Sequence, residues 1–409
     1  MLTGRRYRLA LTGEQAEQCV EFGHVCRAVW NTALDQRRQY RQRGGWMNYA
    51  PQCAELAEAK TEHEWLKVAP SHVLQQTLKD LDAACRTHGT FKVRWRSKNR
   101  WVPSFRFPMG KLITVERLGR KWGRAKLPKL GWVTFRWSRP PGGAVRSATV
   151  SFKGGHWYIS FLVDDRQQAP DTHAMPGTAV GVDRGVKVAA VTSEGTFHDR
   201  EFATAGELER YRRLQHRLSR SKRGSSNRAK VIKAMNRIMR CVIDRRADFA
   251  AQLANRLTAD NALVVLEDLK TRHMTASASG TIEVPGRNVR QKSGLNRAIL
   301  NKGWYRLELA LNSAARYSGS RIIKIHPAYT SQTCHRCKEV DANSRKSQAD
   351  FVCTACGHRD HADLNAAKNI RAAGLAVAAC GDLGISRSVK QEPVSRATGP
   401  TPTAAPSAA

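Results

Sequence analysis

The sequence predicts an α/β protein whose C-terminal half is built around a mostly parallel sheet. From residue 178 to residue 370, the hydrophobic patterns alternate in the order β-β-β-α-β-α-β-α. Within that order, the run "NALVVLEDL" is short and continuously apolar, as expected for a strand that is covered on both faces. This order is the RNase H-like arrangement, and a helical segment and a basic, β-rich segment precede it.

Two amphipathic helices are predicted near the N-terminus. Residues 12–40 begin with Thr12 and Gln15, which have the spacing of a capping box. Near-helical spacing then predicts a buried stripe made of Ala16, Val20, Gly23, Cys26, Trp30 and Ala33. A second helix fits Ser71 to Cys85, and its predicted buried face consists of Leu74, Leu78, Leu81 and Cys85. These helices indicate a small helical domain.

The composition changes at Phe91. Between Phe91 and Lys153, Lys and Arg are abundant and Glu116 is the one acidic residue. Short alternating segments such as "GWVTFRWS", "SATVSF" and "HWYISFLV" predict β-strands separated by Gly/Pro turns. A basic β-barrel with interleaved aromatic residues suits tracking of a nucleic-acid backbone and stacking of bases. Aromatic residues on strands are more often core residues, so we assign most of them to the core and the cations to a phosphate-contacting surface.

The C-terminal half can be followed element by element. The stretch "TAVGVDRGVKVAAVTSEGTFHDREFA" predicts three strands with tight turns at "DRG" and "SEG". Long helices are predicted over residues 205–220, 228–257 and about 295–318. "RIIKIHP" is predicted as a strand, and "LNAAKNI" belongs to the last helix. After residue 370 the chain is rich in Ala, Pro, Ser and Thr, so residues 373–409 are predicted to be disordered.

Net charge is the strongest compositional signal. The 409 residues include 69 Lys and Arg against 34 Asp and Glu, a formal net charge of +35. A protein this basic usually binds polyanions, nucleic acid first; solvated charged faces in a basic proteome are the alternative. No apolar run reaches the roughly 18–20 residues of a membrane span, and the N-terminus lacks the apolar region of a secretory signal. We therefore expect a cytoplasmic, nucleoid-associated protein with no membrane partner.

Three carboxylates are candidates for a catalytic site. Asp183 ends the first strand of the α/β region, Glu267 ends "LVVLE", and Asp363 begins the last helix. Functional groups gather at the carboxyl ends of strands in such sheets. Clustered acids repel one another, and two Mg²⁺ ions about 4 Å apart would relieve that repulsion and support phosphodiester cleavage. Each acid also has a simpler interpretation: a turn former at Asp183, a surface charge at Glu267, and a helix cap at Asp363.

Four cysteines predict a structural zinc site. Their spacing is C-x2-C-x15-C-x2-C, and they are Cys334, Cys337, Cys353 and Cys356. Four thiolates complete the coordination of a zinc ion, so the ion would be structural. The neighbouring His335, His358 and His361 are not needed as ligands and are interpreted as surface or phosphate-facing groups.

Several segments resemble the TnpB (OrfB) proteins of insertion sequences, which are related to the compact type V CRISPR effectors. They are "GVDRGVKVAAV", "LVVLEDLKTRHM", "HPAYTSQTCHRCKEVDANSRKSQADFVCTACG" and "HADLNAAKNI", and "RRYRLALTGEQ" and "HVCRAVWNTALDQR" also resemble the N-terminal start of the family. The resemblance is looser between residues 45 and 170. The resemblance implies an RNA-guided DNA endonuclease of a transposable element. Its RuvC-like site would use Asp183, Glu267 and Asp363 with Mg²⁺ or Mn²⁺, and the four cysteines would hold a zinc ribbon.

The resemblance also implies partners and a domain organisation. A guide RNA and double-stranded target DNA with a short adjacent motif would be the partners, and the choice between monomer and dimer is left open. The implied domains are a wedge-like β-barrel at 1–12 and 90–172, a helical recognition domain at 13–89, a RuvC-like nuclease at 173–328 and 358–372, and a nucleic-acid-binding zinc ribbon at 329–357. The chain departs from many relatives at Arg184, directly after the first acid, and this residue is a candidate phosphate contact.

Three other functions stay open at this point. A compact type V CRISPR-associated effector would use the same chemistry, and the neighbouring genome would separate the two. A guide-bound DNA-binding regulator without nuclease activity is disfavoured by the intact set of acids. A tyrosine transposase would need a His-hydrophobe-His metal motif with a nucleophilic Tyr, and the sequence has no such pairing.

Overall fold

A computed structural model describes residues 1–98, 101–281 and 283–381 of the chain. Its contacts divide the chain into two compact units. One unit comprises Met1–Ala169 and Glu201–Arg246, and the other comprises Pro170–Arg200 and the chain from Ala247 onward. Residues 201–246 therefore belong to the first unit, although they lie inside the implied nuclease segment. The implied domain boundaries stay predictions.

The first unit combines an antiparallel sheet with helices. Up to residue 164 its elements are β1 (Leu2–Ala10), α1 (Gly13–Gln42), α2 (Tyr49–Glu62), α3 (Glu64–Lys67), α4 (Ser71–His88), β2 (Ser104–Phe107), β3 (Thr114–Arg117), β4 (Trp122–Leu127), β5 (Gly131–Arg136), β6 (Ala144–Lys153) and β7 (His156–Asp164). The seven strands have the order β2-β6-β7-β1-β5-β4-β3. The three predicted strand segments form β5, β6 and β7, which confirms them, whereas closure into a barrel stays a prediction.

The helices and the sheet of the first unit share one hydrophobic core. Phe22 of α1 lies edge-on to Phe105 of β2, with ring centroids 5.6 Å apart. The predicted buried face of α4 is confirmed, because its four members are all buried. The helices therefore cover the apolar face of the sheet instead of forming a core of their own.

The first long helix begins where the sequence predicts. The Thr12 hydroxyl accepts a hydrogen bond from the Gln15 backbone N–H, and the Gln15 side chain accepts one from the Thr12 N–H, which completes the capping box. The predicted stripe holds from Gly23 onward, but Val20 was assigned to the wrong face. Val20 is 38% exposed and the preceding Cys19 is fully buried, because the buried face of the first turns passes through Cys19 and Phe22.

The remaining elements complete the chain. In order they are β8 (Ala179–Asp183), β9 (Ala190–Thr192), β10 (Phe197–His198), α5 (Ala205–Ser219), α6 (Ser226–Asp260), β11 (Leu263–Glu267), α7 (Thr271–Met274), α8 (Val289–Lys302), α9 (Trp304–Ser318), β12 (Arg321–Ile325), β13 (Asp350–Val352), β14 (Arg359–His361) and α10 (Ala362–Gly381). These confirm the predicted strands of this half and the two helices before β11.

The second unit is organised around a five-stranded sheet with the order β10-β9-β8-β11-β12. Strands β8, β11 and β12 are parallel, β9 pairs antiparallel with β8, and β10 pairs antiparallel with β9. Val264 and Leu266 of β11 pack on one side with leucines of α6 and α9. Leu263 and Val265 pack on the other side with Ile370 of α10. This confirms that the apolar run is a strand covered on both faces.

Two predicted helix boundaries were wrong. The helix expected over about 295–318 is two helices, α8 and α9, because Gly303 takes a left-handed conformation with φ 73° and ends the first of them. The last helix continues to Gly381, so residues 373–381 are not disordered. The rest of the segment predicted to be disordered, residues 382–409, lies outside the described residues.

Two glycines allow α10 to pack closely on the sheet. A Cβ atom at Gly181 of β8 would collide with the carbonyl oxygen of Ala367 in α10. A Cβ atom at Gly374 of α10 would collide with the side chain of Val265 in β11. Because neither glycine has a side chain, α10 can lie directly against β8 and β11, at a distance that leaves no room for a larger residue at either position.

Candidate functional site

The structure brings the three predicted acids to one edge of the sheet. Asp183 is the last residue of β8, and Glu267 is the last residue of β11. These strands are parallel neighbours with Val182 opposite Leu266, so the two acids that follow leave the sheet side by side. Asp363 lies in the first turn of α10, the helix that packs against both strands. The expected convergence at the carboxyl ends of the strands is therefore observed.

The electrostatics of Asp183 show that the acids act on one another. Burial raises the pKa of Asp183, the charges of Glu267 and Asp363 raise it further, and it reaches about 7. Burial also raises the pKa of Glu267. The Thr330 hydroxyl opposes that shift by donating a hydrogen bond of 2.6 Å to Glu267 Oε1. The site is therefore a concentration of negative charge that a bound cation would relieve.

Two arginines that sequence reasoning did not place in the site lie beside these acids. The Arg345 guanidinium lies 3.3 Å from Asp363 Oδ1. Arg184, a candidate phosphate contact from the sequence, has a side chain only 1% exposed and donates a hydrogen bond to the backbone carbonyl of Glu267. The phosphate interpretation of Arg184 is wrong because this side chain is buried. Arg345 carries no spacing signal in the sequence, and it is found only once its segment is folded against α10.

The three acids are spaced more widely than the ligands of a closed single-ion site. Among the described residues, donor atoms lie within 4.8 Å of one another in two groups, the four cysteines and the set His335, His358 and Asp360. The carboxylates of Asp183, Glu267 and Asp363 form no such group.

The four predicted cysteines converge as a zinc site requires. Cys334 Sγ lies 3.8 Å from Cys356 Sγ, and Cys337 Sγ lies 3.5 Å from Cys353 Sγ. Tetrahedral zinc with Zn–S bonds of about 2.3 Å separates its sulfur ligands by about 3.8 Å. The donors and their spacing therefore fit a zinc ion.

The two cysteine pairs sit on matching turns. After the second cysteine of each pair, Lys338 and Gly357 both have φ 67°. In the first turn, Lys338 N–H donates to the Cys334 carbonyl and Cys334 N–H donates to the Glu339 carbonyl. In the second turn, Gly357 and Cys353 make the same two bonds. Such repetition shows that both turns present their sulfurs in the same way, as paired halves of one site.

The histidines beside the cysteines have neighbours within the structure, and a phosphate-facing role for them stays a prediction. The Asp360 carboxylate lies 2.7 Å from Lys368 Nζ of α10, 3.8 Å from His335 Nδ1 and 3.7 Å from His358 Nε2. His361 stacks edge-on to Phe197 at 4.9 Å. Its Nδ1 also accepts a hydrogen bond from the Asp363 N–H. Asp360 is therefore tied to the helix that carries Asp363, and the His335 backbone N–H of the first cysteine turn donates a hydrogen bond of 2.9 Å to Asn365 Oδ1 of the same helix.

A cluster of cations marks the first unit. Burial, and then the charges of four basic residues, hold the pKa of His156 below its ordinary value. These residues, the His156 cluster, are Arg8, Arg240, Lys233 and Arg237. Aromatic rings nearby are stacked with arginines, including Tyr158 under Arg6 at 3.8 Å.

Among the described helices, none combines the length and apolar character needed to cross a bilayer.

Aromatic residues of the first sheet divide between core and surface. Phe105, Phe107, Phe135 and Phe161 are buried, as the sequence predicts for most of the set. Trp122, however, is 42% exposed and lies under the guanidinium of Arg136, 5.3 Å away. The exposed tryptophan and its arginine offer a surface on which a base could stack.

Three family models match the chain. A helix-turn-helix domain of the OrfB/IS605 type matches residues 1–45, where the structure has β1 and α1. The OrfB/IS605 model described as "Probable transposase" matches residues 160–278. The model "Cas12f1-like, TNB domain" matches residues 304–370, which include α9 and the four cysteines.

Similar proteins span nearly the whole chain. An Escherichia coli (strain K12) protein named "Putative RNA-guided DNA endonuclease InsQ" is 37% identical over 95% of this chain and 96% of its own length. A Streptomyces pristinaespiralis protein named "Putative RNA-guided DNA endonuclease" is 32% identical over 97% of each chain. In a cryo-EM structure of a Cas12f1–sgRNA–target DNA complex, a chain with 14% identity matches with TM-score 0.57, over 88% of this chain and 83% of that chain.

Proposed function

Because the chain belongs to the TnpB (OrfB) family of insertion-sequence proteins, we propose that it is an RNA-guided DNA endonuclease of a transposable element. Its relatives at 37% and 32% identity are named as RNA-guided DNA endonucleases, and the matches cover 96% and 97% of their own lengths. The CRISPR-associated alternative is less well supported. A Cas12f1 from Sulfoacidibacillus thermotolerans is 29% identical, over 52% of this chain and 49% of its own length.

The convergence of Asp183, Glu267 and Asp363 carries the proposal. They arrive from two neighbouring strand ends and one helix start, and burial, followed by the charges of Glu267 and Asp363, raises the pKa of Asp183. Retaining buried acids that repel one another has a cost in stability, which a function requiring all three would explain. We assign them as the ligands of Mg²⁺ or Mn²⁺ in a RuvC-like site.

The side chains around the acids would prepare the site for its ions. The metal ions, when bound, would activate water and stabilise the leaving oxygen of phosphodiester hydrolysis. Thr330 holds one oxygen of Glu267 and leaves the other available to an ion. Arg345 lies close enough to Asp363 to offset negative charge, and a phosphate at this edge would meet the same guanidinium.

The four cysteines would hold a structural zinc ion. Their sulfurs have the spacing of a tetrahedral zinc shell and occupy all four positions. Because the cysteine segment contributes Arg345 to the acid site and its His335 N–H donates a hydrogen bond to Asn365 of α10, it would fix one wall of that site. We retain residues 329–357 as the zinc ribbon.

The first unit would bind the guide RNA. The His156 cluster concentrates positive charge, and the formal charge of the chain is +35. Residues 1–12 with 90–172, and residues 13–89, are proposed as wedge and recognition domains. They would hold the guide and read the short motif beside the DNA target.

Programmed cleavage tests the proposed function. RNA that copurifies with the protein would be sequenced, and its guide segment replaced by a designed sequence. The reprogrammed complex, in Mg²⁺, should cut plasmids that carry the matching target beside one short motif in a randomised library. Cutting that ignores the guide, or no cutting anywhere in the library with the native RNA bound, would contradict it.

A further inference from the structure

Arg184 is a buried cation beside the acid site. Its side chain is 1% exposed, and it follows directly after Asp183. One guanidinium N–H donates to the backbone carbonyl of Glu267. Another nitrogen lies 3.6 Å from Glu308 Oε2 on α9. The Arg184 side chain therefore links the end of β8 to the end of β11 and to a helix beneath both.

Helix α9 also contacts the residues after Asp183 at a second point. The Trp304 indole N–H donates a hydrogen bond of 3.1 Å to the carbonyl of Gly185. Trp304 and Glu308 are four residues apart, so they lie on the same face of α9. Trp304 is only 5% exposed. One face of α9 thus holds both residues that follow Asp183.

The charge of Glu308 is itself shared. Glu308 Oε1 is ion-paired with Lys324 of β12, and Lys324 lies 3.8 Å from Asp268, the residue after Glu267. Charges of alternating sign therefore run from Arg184 through Glu308 and Lys324 to Asp268. This series crosses the carboxyl ends of three parallel strands and ties their positions together.

The contacts of Arg184 differ from those of Arg345. Arg345 reaches a carboxylate oxygen of Asp363 directly. Arg184 uses a backbone carbonyl and Glu308, so it does not take up the carboxylate oxygens with which it shares the site. Burial raises the pKa of Asp183 and Glu267, and the charge of Arg184 opposes that rise.

We propose that Arg184, Trp304 and Glu308 form a brace that positions Asp183 and Glu267 for metal binding. They are positioning residues, because they act through the backbone and the turn that carry the acids. The inference rests on the proposed nuclease function. It adds to the proposed metal ligands a set of residues that the reaction would need although they do not bind the metal. It also accounts for an arginine directly after the first acid.

The brace is tested with Arg184→Met, Arg184→Lys and Glu308→Gln in the full RNA-bound protein. Arg184→Met should lower turnover at saturating Mg²⁺ by about 10²-fold, because small displacements of reacting groups have effects of this size. Arg184→Lys keeps the charge but cannot reach both acceptors, so it should fall between Met and wild type. Guided DNA binding should stay within about threefold of wild type in all three. Arg200→Met is the matched control, since Arg200 is an exposed partner of Asp248 in the same unit.

Binding of Mn²⁺, followed by EPR, gives a readout that does not depend on cleavage. Subtracting the signal of Asp183→Ala isolates the ions held by the acids. Arg184→Met should bind Mn²⁺ more weakly than wild type because Asp183 and Glu267 are no longer held in position, and Arg184→Lys should fall between the two. If Arg184 acted only through its charge, its loss would instead tighten cation binding. If Arg184→Met does not fold, Glu308→Gln carries the turnover test.

Wild-type turnover in both Arg184→Met and Glu308→Gln would overturn the brace. A loss of guided binding equal to the loss of turnover would overturn it too, because it would show a general defect of folding. Wild-type protein that never cuts, even with matched guide and Mg²⁺, would instead refute the proposed function. The two failures are therefore distinguishable in one set of measurements.

Discussion

Folding strongly changes the acidity of Asp183. Its pKa rises from 3.8 to about 7, first through burial and then through repulsion from Glu267 and Asp363. An acid whose pKa is higher in the folded chain binds a proton on folding. Its contribution to stability therefore falls as pH rises between the two pKa values and is lost above about pH 7.

This residue predicts the pH dependence of the metal-free protein. Between pH 5 and pH 8, wild type should lose on the order of 3 kcal/mol of stability relative to Asp183→Asn, which cannot ionise. Mg²⁺ should stabilise wild type more at pH 8 than at pH 5, because the ion competes with the proton. Thermal unfolding of both proteins with and without Mg²⁺ measures this. Parallel pH profiles for the two proteins would show that Asp183 ionises normally.

At the residue scale, sequence reasoning predicted the acids and the cysteines but not their neighbours. Asp183, Glu267 and the cysteines stand at strand ends or in regular spacing, and such positions can be predicted. Arg345 and Thr330 reach the acids only after distant segments are folded together, so their sequence neighbourhood carries no signal. Arg184 was interpreted as a phosphate contact because of its charge, whereas its side chain is buried and has Glu308 as a partner.

At the scale of the element, the cysteine segment makes a separable contribution. The two turns repeat each other's hydrogen bonds, and their sulfurs have the spacing expected around zinc. The five-stranded sheet, in contrast, is completed by β8–β12 without any residue of 329–357. Loss of zinc should therefore affect the ribbon more than the sheet.

Cys353→Ser tests this separation. The variant should lose the zinc ion, about one per chain in wild type, because a four-thiolate site has no spare ligand. Its sheet should stay folded, while cleavage should fall because Arg345 and Asp363 lose a fixed wall. Metal analysis measures the zinc content, circular dichroism measures the fold, and a guided cleavage assay measures the activity. Cys380→Ser, at an exposed cysteine of α10, is the control. Wild-type protein without zinc, freshly purified, would refute the site.

Element boundaries show where periodicity alone is insufficient. The apolar pattern continues across Gly303, but a left-handed glycine separates α8 from α9. This break matters because α9 then begins at Trp304 and carries two of the three residues of the proposed brace, Trp304 and Glu308. The helix α10 outlasts the predicted end since "RAAGLAVAAC" is strongly helix-forming and Gly374 fits against Val265. The high content of Ala, Pro, Ser and Thr over the whole segment after residue 370 predicts a disordered tail, and this signal hides the helical part at its start.

At the scale of the whole molecule, the net charge of +35 governs association with nucleic acid. Guide RNA affinity should fall steeply between low and moderate salt, because binding releases counterions. Arg237→Glu, within the His156 cluster, should weaken guide binding and reduce the salt slope by about 1 or more. Arg213→Glu reverses a charge on α5 that already has Glu209 as a partner, and should have a smaller effect. Equal effects of the two charge reversals on guide affinity would show that the His156 cluster is not a preferred binding surface for the guide RNA.

The most direct test of the nuclease assignment is guided cleavage compared with guided binding in Asp183→Ala, Glu267→Ala and Asp363→Ala. Each variant should keep binding to a matched target and lose cleavage by at least about 10²-fold, because each removes a metal ligand without removing the basic surfaces. Double variants should be scarcely worse than single ones, since the three acids act as a unit. Asp260→Ala, an exposed acid just before the opposite end of β11, should cut like wild type. If all three acid variants cut target DNA as wild type does, the RuvC-like site proposed here is not the nuclease site.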